Sequence, residues 1–212
     1  MTSAPQRGLP LVTVKGLKLG LSMIDGAVHY ALTTVNDISG ADLRRPTPCS
    51  QWDLGQLLNH LNDSMDALQE GFDTHRVRLP SDGDPPAVDN DARSLVEGFR
   101  LRAARLLRSC AGQGVDAPTA IGDLALPSSR MALVGAIEIA VHGWDVAWAR
   151  ETPRPIPPML ALDLLVASPL VITTGGRDPF FTAPLAVPRK ADPSDRLIAF
   201  LGRRPFPDRP AR

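Results

Sequence analysis

Proline sets the frame of this chain. It carries 21 prolines among 212 residues, about twice the usual share of roughly 5%. They cluster: Pro46 and Pro48, then Pro80, Pro85 and Pro86, then Pro118 and Pro127, then Pro153, Pro155, Pro157 and Pro158, with seven more beyond Pro169. Proline breaks a helix interior but is accepted in a first turn or a loop. The long proline-free stretches between the clusters are therefore the helix candidates.

Each stretch carries apolar residues at steps of three and four, the period of one helical face. Leu17, Leu21, Ile24, Val28, Leu32 and Val35 define a first helix over 17–38. Leu54, Leu57, Leu58, Leu61, Met65 and Leu68 define a second, opening near Asp53, a good N-cap or first-turn acid, and ending about Phe72. Turn formers fill RVRLPSDGDPPAVDNDA, a crossover loop. A third helix over 89–110 carries Leu95, Phe99, Leu106 and Leu107. A fourth runs from Ser128 or Ser129 to Trp148 or Arg150, and a shorter fifth over 157–173. Strand-type alternation is nearly absent, and AGQGVDAPTAIGDLALPSS offers at most a short extended segment. The expected fold is all-α: a four-helix bundle over 15–175 and a Pro-rich C-terminal extension over 176–212 that packs on it. That tail either covers the open end of the bundle or mediates a homodimer contact.

Charge and composition narrow the function. The 23 basic and 23 acidic side chains cancel, which argues against a nucleic-acid partner. No apolar run reaches the 18 residues of a bilayer span, and the N-terminal segment, interrupted by Arg7, Lys15 and Lys18, lacks a signal-peptide core. The expectation is a cytoplasmic protein without a membrane partner. Two cysteines, Cys49 and Cys110, are too few for a disulfide framework or a four-thiolate zinc site. Cys110 reads as core filler, and no neighbour in sequence marks Cys49 as activated.

The residues with chemistry sit on the fourth helix, in ALVGAIEIAVHGWDVAWAR. Glu138 and His142 are four apart and share one face, at the edge of an apolar stripe with Val134, Ile137 and Val141. Carboxylate and imidazole both ligate divalent ions, and a metal removes most of the cost of burying the carboxylate. A bundle metal site draws a further donor from a facing helix. Of the other histidines, His60 lies on the core face of the second helix, His29 on an ambiguous face, and His75 at a helix end. His60 is the third candidate. By spacing alone the Glu138–His142 pair serves equally as a helix-edge hydrogen bond, and His60 as a satisfied core histidine.

Three segments resemble one family. RRPTPCSQWDLGQLLNHL is similar to the PTPC-x-x-W-x-(V/L)-x-x-L-(L/V)-x-H signature of actinobacterial DinB-like proteins, in the superfamily of mycothiol-dependent maleylpyruvate isomerases. Glu138, His142, Gly143, Trp144, Asp145, Ala147 and Ala149 match its second signature, E-x-x-x-H-G-W-D-x-A-x-A. DPSDRLIAFLGRRP, Asp192 to Pro205, resembles the closing DRLLA-x-LGR-x-P element of one subfamily. The resemblance implies a DinB-like four-helix bundle with a divalent metal, usually Zn2+, on His60, Glu138 and His142. It also implies a low-molecular-weight thiol, mycothiol, that adds to or isomerises a small electrophilic metabolite.

The isomerase carries a separate C-terminal domain to which the residues after Pro157 are not similar, so maleylpyruvate itself is not implied. Asp145 is placed to orient a ligand histidine or to cap a loop. Trp52 and Trp144 read first as packing residues. The donor set does not choose zinc over nickel, iron or manganese. Two rivals stand beside the thiol enzyme: a thiol-independent metal hydrolase, lyase or cyclase, and a non-catalytic helical binding protein.

Overall fold

Capping explains where the helices begin. In a computed structural model that describes residues 11–49, 52–78, 89–172 and 181–206, α1 spans Leu11–Thr34, α2 Leu54–Thr74, α3 Ala92–Ala111 and α4 Ser128–Ala149. Two shorter helices follow, α5 (Pro158–Ala167) and α6 (Pro193–Phe200). Asp53 accepts the Gln56 N–H at 2.9 Å while the Gln56 side chain accepts the Asp53 N–H at 2.9 Å, a reciprocal capping box. Asp91 caps α3 through the Ser94 N–H at 2.8 Å. The residue before α4 is Pro127, which supplies no side-chain cap. Buried Asp116 serves instead, accepting the Ser129 N–H at 2.7 Å and its hydroxyl at 2.8 Å.

Contacts between helices fix their directions. Gly20 of α1 lies against Ala132 of α4, and Gly143 of α4 against Ala31 of α1, so these two helices run parallel. Added Cβ atoms would approach the partner methyls to 2.8 and 3.1 Å, so the helices meet this closely only because both positions are glycine. Gly135 of α4 packs on Leu68, and Glu138 meets His60 farther back along α2, making that pair antiparallel. Asn62 bonds to Leu95 and Asp66 to Arg102, so α2 and α3 run the same way. The order is up, down, down, up, and it requires the crossover expected between α2 and α3. Residues 79–88 of that crossover, with Pro80, Pro85 and Pro86, lie outside the described residues, as do the first ten.

The apolar stripe expected on α2 is buried throughout, from Leu54 to Leu68. Leu95, Phe99 and Leu106 of α3 join it, and Cys110 is buried as core filler. Val134, expected on the stripe of α4, is exposed. Alone among the described helices, α4 is long and apolar enough to cross a bilayer, and 83% of that stretch is buried within the protein.

Two elements depart from expectation. Pro118–Ile121 and Leu124–Pro127 form an antiparallel hairpin, β2 and β3, turned at Gly122 (φ 56°). A two-residue strand β1, Arg76–Val77, pairs parallel with β2. A glycine with positive φ is what a two-residue hairpin turn needs, but four-residue strands are too short to show alternation. In the extension, α6 packs on α5, and Ile156 N–H donates to Ser194 Oγ at 3.0 Å. The fifth helix gives way to a 3-10 turn at Ser168–Leu170.

α6 ends in a Schellman turn: Arg203 N–H donates to Ile198 O and Gly202 N–H to Ala199 O, both at 3.0 Å. Gly202 sits at φ 79°, and the Thr182 hydroxyl donates to its carbonyl at 2.9 Å. The turn sends the chain back onto the bundle, where Phe206 packs against Trp144 with ring centroids 4.8 Å apart.

Candidate metal centre

His60, Glu138 and His142 come together from the two antiparallel helices. Glu138 Oε1 lies 2.5 Å from His60 Nε2 and 3.0 Å from His142 Nε2, so one oxygen serves both rings. The three donor atoms lie within 4.8 Å of one another. The imidazoles meet edge to face, with centroids 5.1 Å apart. His60 and Glu138 are about one-third exposed, whereas His142 is buried. Burial alone would raise the Glu138 pKa, but the His142 charge and the hydrogen bonds from His142 and His60 outweigh it and hold the carboxyl well below its usual range.

Behind His142 lies a closed network. His142 Nδ1 is 2.9 Å from Asp145 Oδ2. An ionised carboxylate only accepts, so Nδ1 donates to Asp145, and Nε2 on the opposite edge turns to Glu138. Asp145 has no exposed surface. Arg203 grips it with Nε to Oδ1 at 2.8 Å and Nη2 to Oδ2 at 2.9 Å, a two-pronged pair of the strong kind. Burial would raise the Asp145 pKa, but Arg203 and His142 hold it below the ordinary carboxylate value. Burial likewise opposes charge on His142, yet Glu138 first, then Asp145 and Cys49, raise its pKa well above normal.

The loop before α2 supplies two further neighbours. Thr47 Oγ1 lies 2.8 Å from Trp52 O and 3.0 Å from Cys49 O, and the Cys49 N–H donates back to it at 3.2 Å. This knot presents both flanking side chains to the site. The Trp52 ring leans on His60, centroids 4.5 Å apart, and stands 6.2 Å from His142. Cys49 Sγ lies 3.3 Å from Arg203 Nη2, 3.6 Å from Asp145 Oδ2 and 3.9 Å from His142 Nδ1. Sequence neighbours gave Cys49 neither histidine nor cation; the fold gives it both.

Cys49, His142 and Asp145 also form a donor group, but Arg203 already places a cation among them. The histidines set aside stay apart. His29 is exposed and donates from Nδ1 to the Asp25 carbonyl at 2.8 Å, and His75 is the left-handed C-cap of α2 (φ 54°). Arg203 was hidden in the closing DPSDRLIAFLGRRP element, whose repeat of a family pattern was its sole signal.

Two imidazole nitrogens and one carboxylate oxygen are a donor set for a divalent ion with an open position. Bonds of about 2.0–2.1 Å give a tetrahedral edge of roughly 3.3 Å, so donors now 2.5 and 3.0 Å apart fit an ion after a shift of less than about 1 Å. The carboxylate behind His142 is the support that ligating histidines commonly have. The residues fit the group.

Fold and site together define a helical bundle with a convergent imidazole–carboxylate centre between two antiparallel helices. The chain belongs to the family of the mycothiol maleylpyruvate isomerase N-terminal domain, which matches residues 25–147, and through it to the DinB-like superfamily. Relatives include an uncharacterized protein of Mycobacterium tuberculosis, found in two strains. Each copy is 24% identical over 169 residues, covering 79% of this chain and 88% of the relative. No solved structure matches the chain.

Proposed function

We propose that this protein is a metal-dependent enzyme that uses a low-molecular-weight thiol, mycothiol, against a small electrophilic metabolite, as an S-transferase or a thiol-assisted isomerase. The observation that carries the reading is the convergence of His60, Glu138 and His142 on one point, half-open to solvent. Membership of a mycothiol-related family supports the choice of thiol.

His60, Glu138 and His142 would hold the ion; the family resemblance favours Zn2+, which this nitrogen and oxygen set accommodates. When bound, it stabilises thiolate over thiol and so supplies a sulfur nucleophile near neutral pH. The protein does the rest. Asp145 holds the Nδ1 proton of His142 and thereby aims Nε2 at the centre. Glu138 brings a negative charge that favours a cation between two rings. Trp52 shields the His60 side from water and offers a flat apolar wall to a substrate. The two free cysteines accord with a cytoplasmic setting.

The test is elemental analysis of untagged protein purified without chelator, wild type beside His60→Ala, followed by turnover of mycothiol with a panel of small electrophiles. Near-stoichiometric metal in the wild type, lost in the variant, with thiol consumed only by the loaded protein, is the expected result. A wild type that takes up no divalent ion on titration refutes the proposal. Metal uptake with mycothiol neither bound nor consumed refutes the thiol chemistry.

A further inference from the structure

We infer that Arg203 is a positioning residue for the metal centre: the C-terminal segment, through this one guanidinium, holds Asp145 and with it the ring of His142. The inference rests on the metal reading above and extends it to a residue 61 positions beyond the last donor.

The geometry argues for it in three steps. First, the Asp145 carboxylate has two tasks that use different edges. Oδ1 takes Arg203 Nε, while Oδ2 is shared between Arg203 Nη2 and His142 Nδ1, at 2.9 Å each. A guanidinium fork fixes a carboxylate in its own plane, as a single ammonium does not. The plane of Asp145 then sets the direction from which Nδ1 is held, and the opposite nitrogen follows. Second, the same Nη2 reaches Cys49 Sγ. Arg203 therefore ties the Thr47–Trp52 loop, which carries the aromatic wall, to the helix that carries two of the three donors.

Third, the chain is turned for the purpose. The Schellman turn at Gly202 ends α6 one residue before Arg203 and reverses the backbone toward the bundle. Leu197, Ile198 and Leu201 are buried on the preceding turn, so the guanidinium is delivered from a fixed base. The side chain itself is 9% exposed. A buried cation this close to a metal centre would repel the ion if it faced it. It faces the back of Asp145 instead, where its charge is neutralised before it reaches His142.

The experiment measures cobalt(II) affinity and the visible spectrum of the cobalt(II) protein for wild type, Arg203→Met, Arg203→Lys and Phe206→Ala, with folding checked by circular dichroism. Phe206→Ala loosens the same tail where it packs on Trp144 but leaves the fork in place. The expected result is a ten- to hundredfold loss of affinity in Arg203→Met, the range typical of lost support behind a ligand histidine. Arg203→Lys should fall between it and the wild type with a shifted band, and Phe206→Ala should match the wild type.

Wild-type affinity and spectrum in a folded Arg203→Met overturn the inference. An equal loss in Phe206→Ala overturns it too, because tail docking alone then matters. Should Arg203→Met fail to fold, Arg203→Lys decides: an affinity equal to wild type refutes the positioning role. A wild type that binds no cobalt brings down the metal reading and this inference with it, and is recognised because the variants play no part in that result.

Discussion

The two nitrogens of His142 look into different kinds of surroundings. On the Nε2 side stand His60 and Glu138, about one-third exposed, with one oxygen shared between two rings. On the Nδ1 side stand Asp145 and Arg203, buried and joined by paired hydrogen bonds. The first side is open: its three donor atoms converge on one point that solvent reaches. The second is closed: both oxygens of the buried Asp145 carboxylate are taken, by Arg203 and by His142. A single imidazole thus separates a place built to receive something from a place built to stay as it is. The lesson is a division of labour, in which binding and rigidity reside on opposite edges of one ring.

That division can be broken, and the largest effect should come from the closed side. Asp145→Ala leaves a buried guanidinium and the Nδ1 proton without an acceptor, and should destabilise the fold by about 3–5 kcal/mol, the usual result of removing one partner of a buried pair. Urea unfolding measures it. The turn that delivers Arg203 comes next. Gly202→Ala puts a side chain at φ 79°, with its Cβ 2.2 Å from Thr182 Oγ1, and should cost at least about 1–2 kcal/mol by the same measurement.

On the open side, Glu138→Gln should abolish metal uptake while changing stability by no more than about 1 kcal/mol, since Glu138 and His60 both reach solvent. A Glu138→Gln as unstable as Asp145→Ala would erase the contrast. The smallest effect sharpens it. Cys110 is buried at the end of α3, and burial pushes its thiol up to about 12, so it should stay unlabelled by a thiol reagent at pH 8 until the protein unfolds. Half-buried Cys49 should react in the folded state, and Cys49→Ser should change the unfolding free energy by only a few tenths of a kcal/mol. Peptide mapping after brief labelling distinguishes the two cysteines.

The open side was legible in the sequence and most of the closed side was not. Glu138 and His142 are bound by helical spacing, and His60 sits on a stripe that any periodicity analysis finds, because both facts are local. Asp145 could be nominated for the same reason, three residues from His142. Arg203 could not, since its partner lies 58 residues away and no local rule says where a proline-rich tail returns. The surroundings of Cys49 were out of reach for the same cause: its histidine is 93 residues off. In the fold, the long helices declared themselves through burial on one face. The β2–β3 hairpin and α6 did not, being four residues per strand and eight residues long, too short for a period to establish itself. Asp192 and Pro193 open α6, but in so proline-rich a stretch one more proline is a weak start signal.

The reciprocal glycine contacts between α1 and α4 have a consequence for the centre. Gly20 meets Ala132 and Ala31 meets Gly143, eleven residues apart on both helices, or about 16 Å along each axis. Two notches at matched spacing act as a vernier. If α4 slid by one turn, about 5.4 Å, both pairings would be lost, and Ala31 would face a side chain in place of Gly143. The second notch is the residue immediately after His142. A helix that contributes no donor atom therefore indexes the height of the helix that contributes two, and an added methyl at Gly143 would be felt as a misplaced ligand before it was felt as a lost contact.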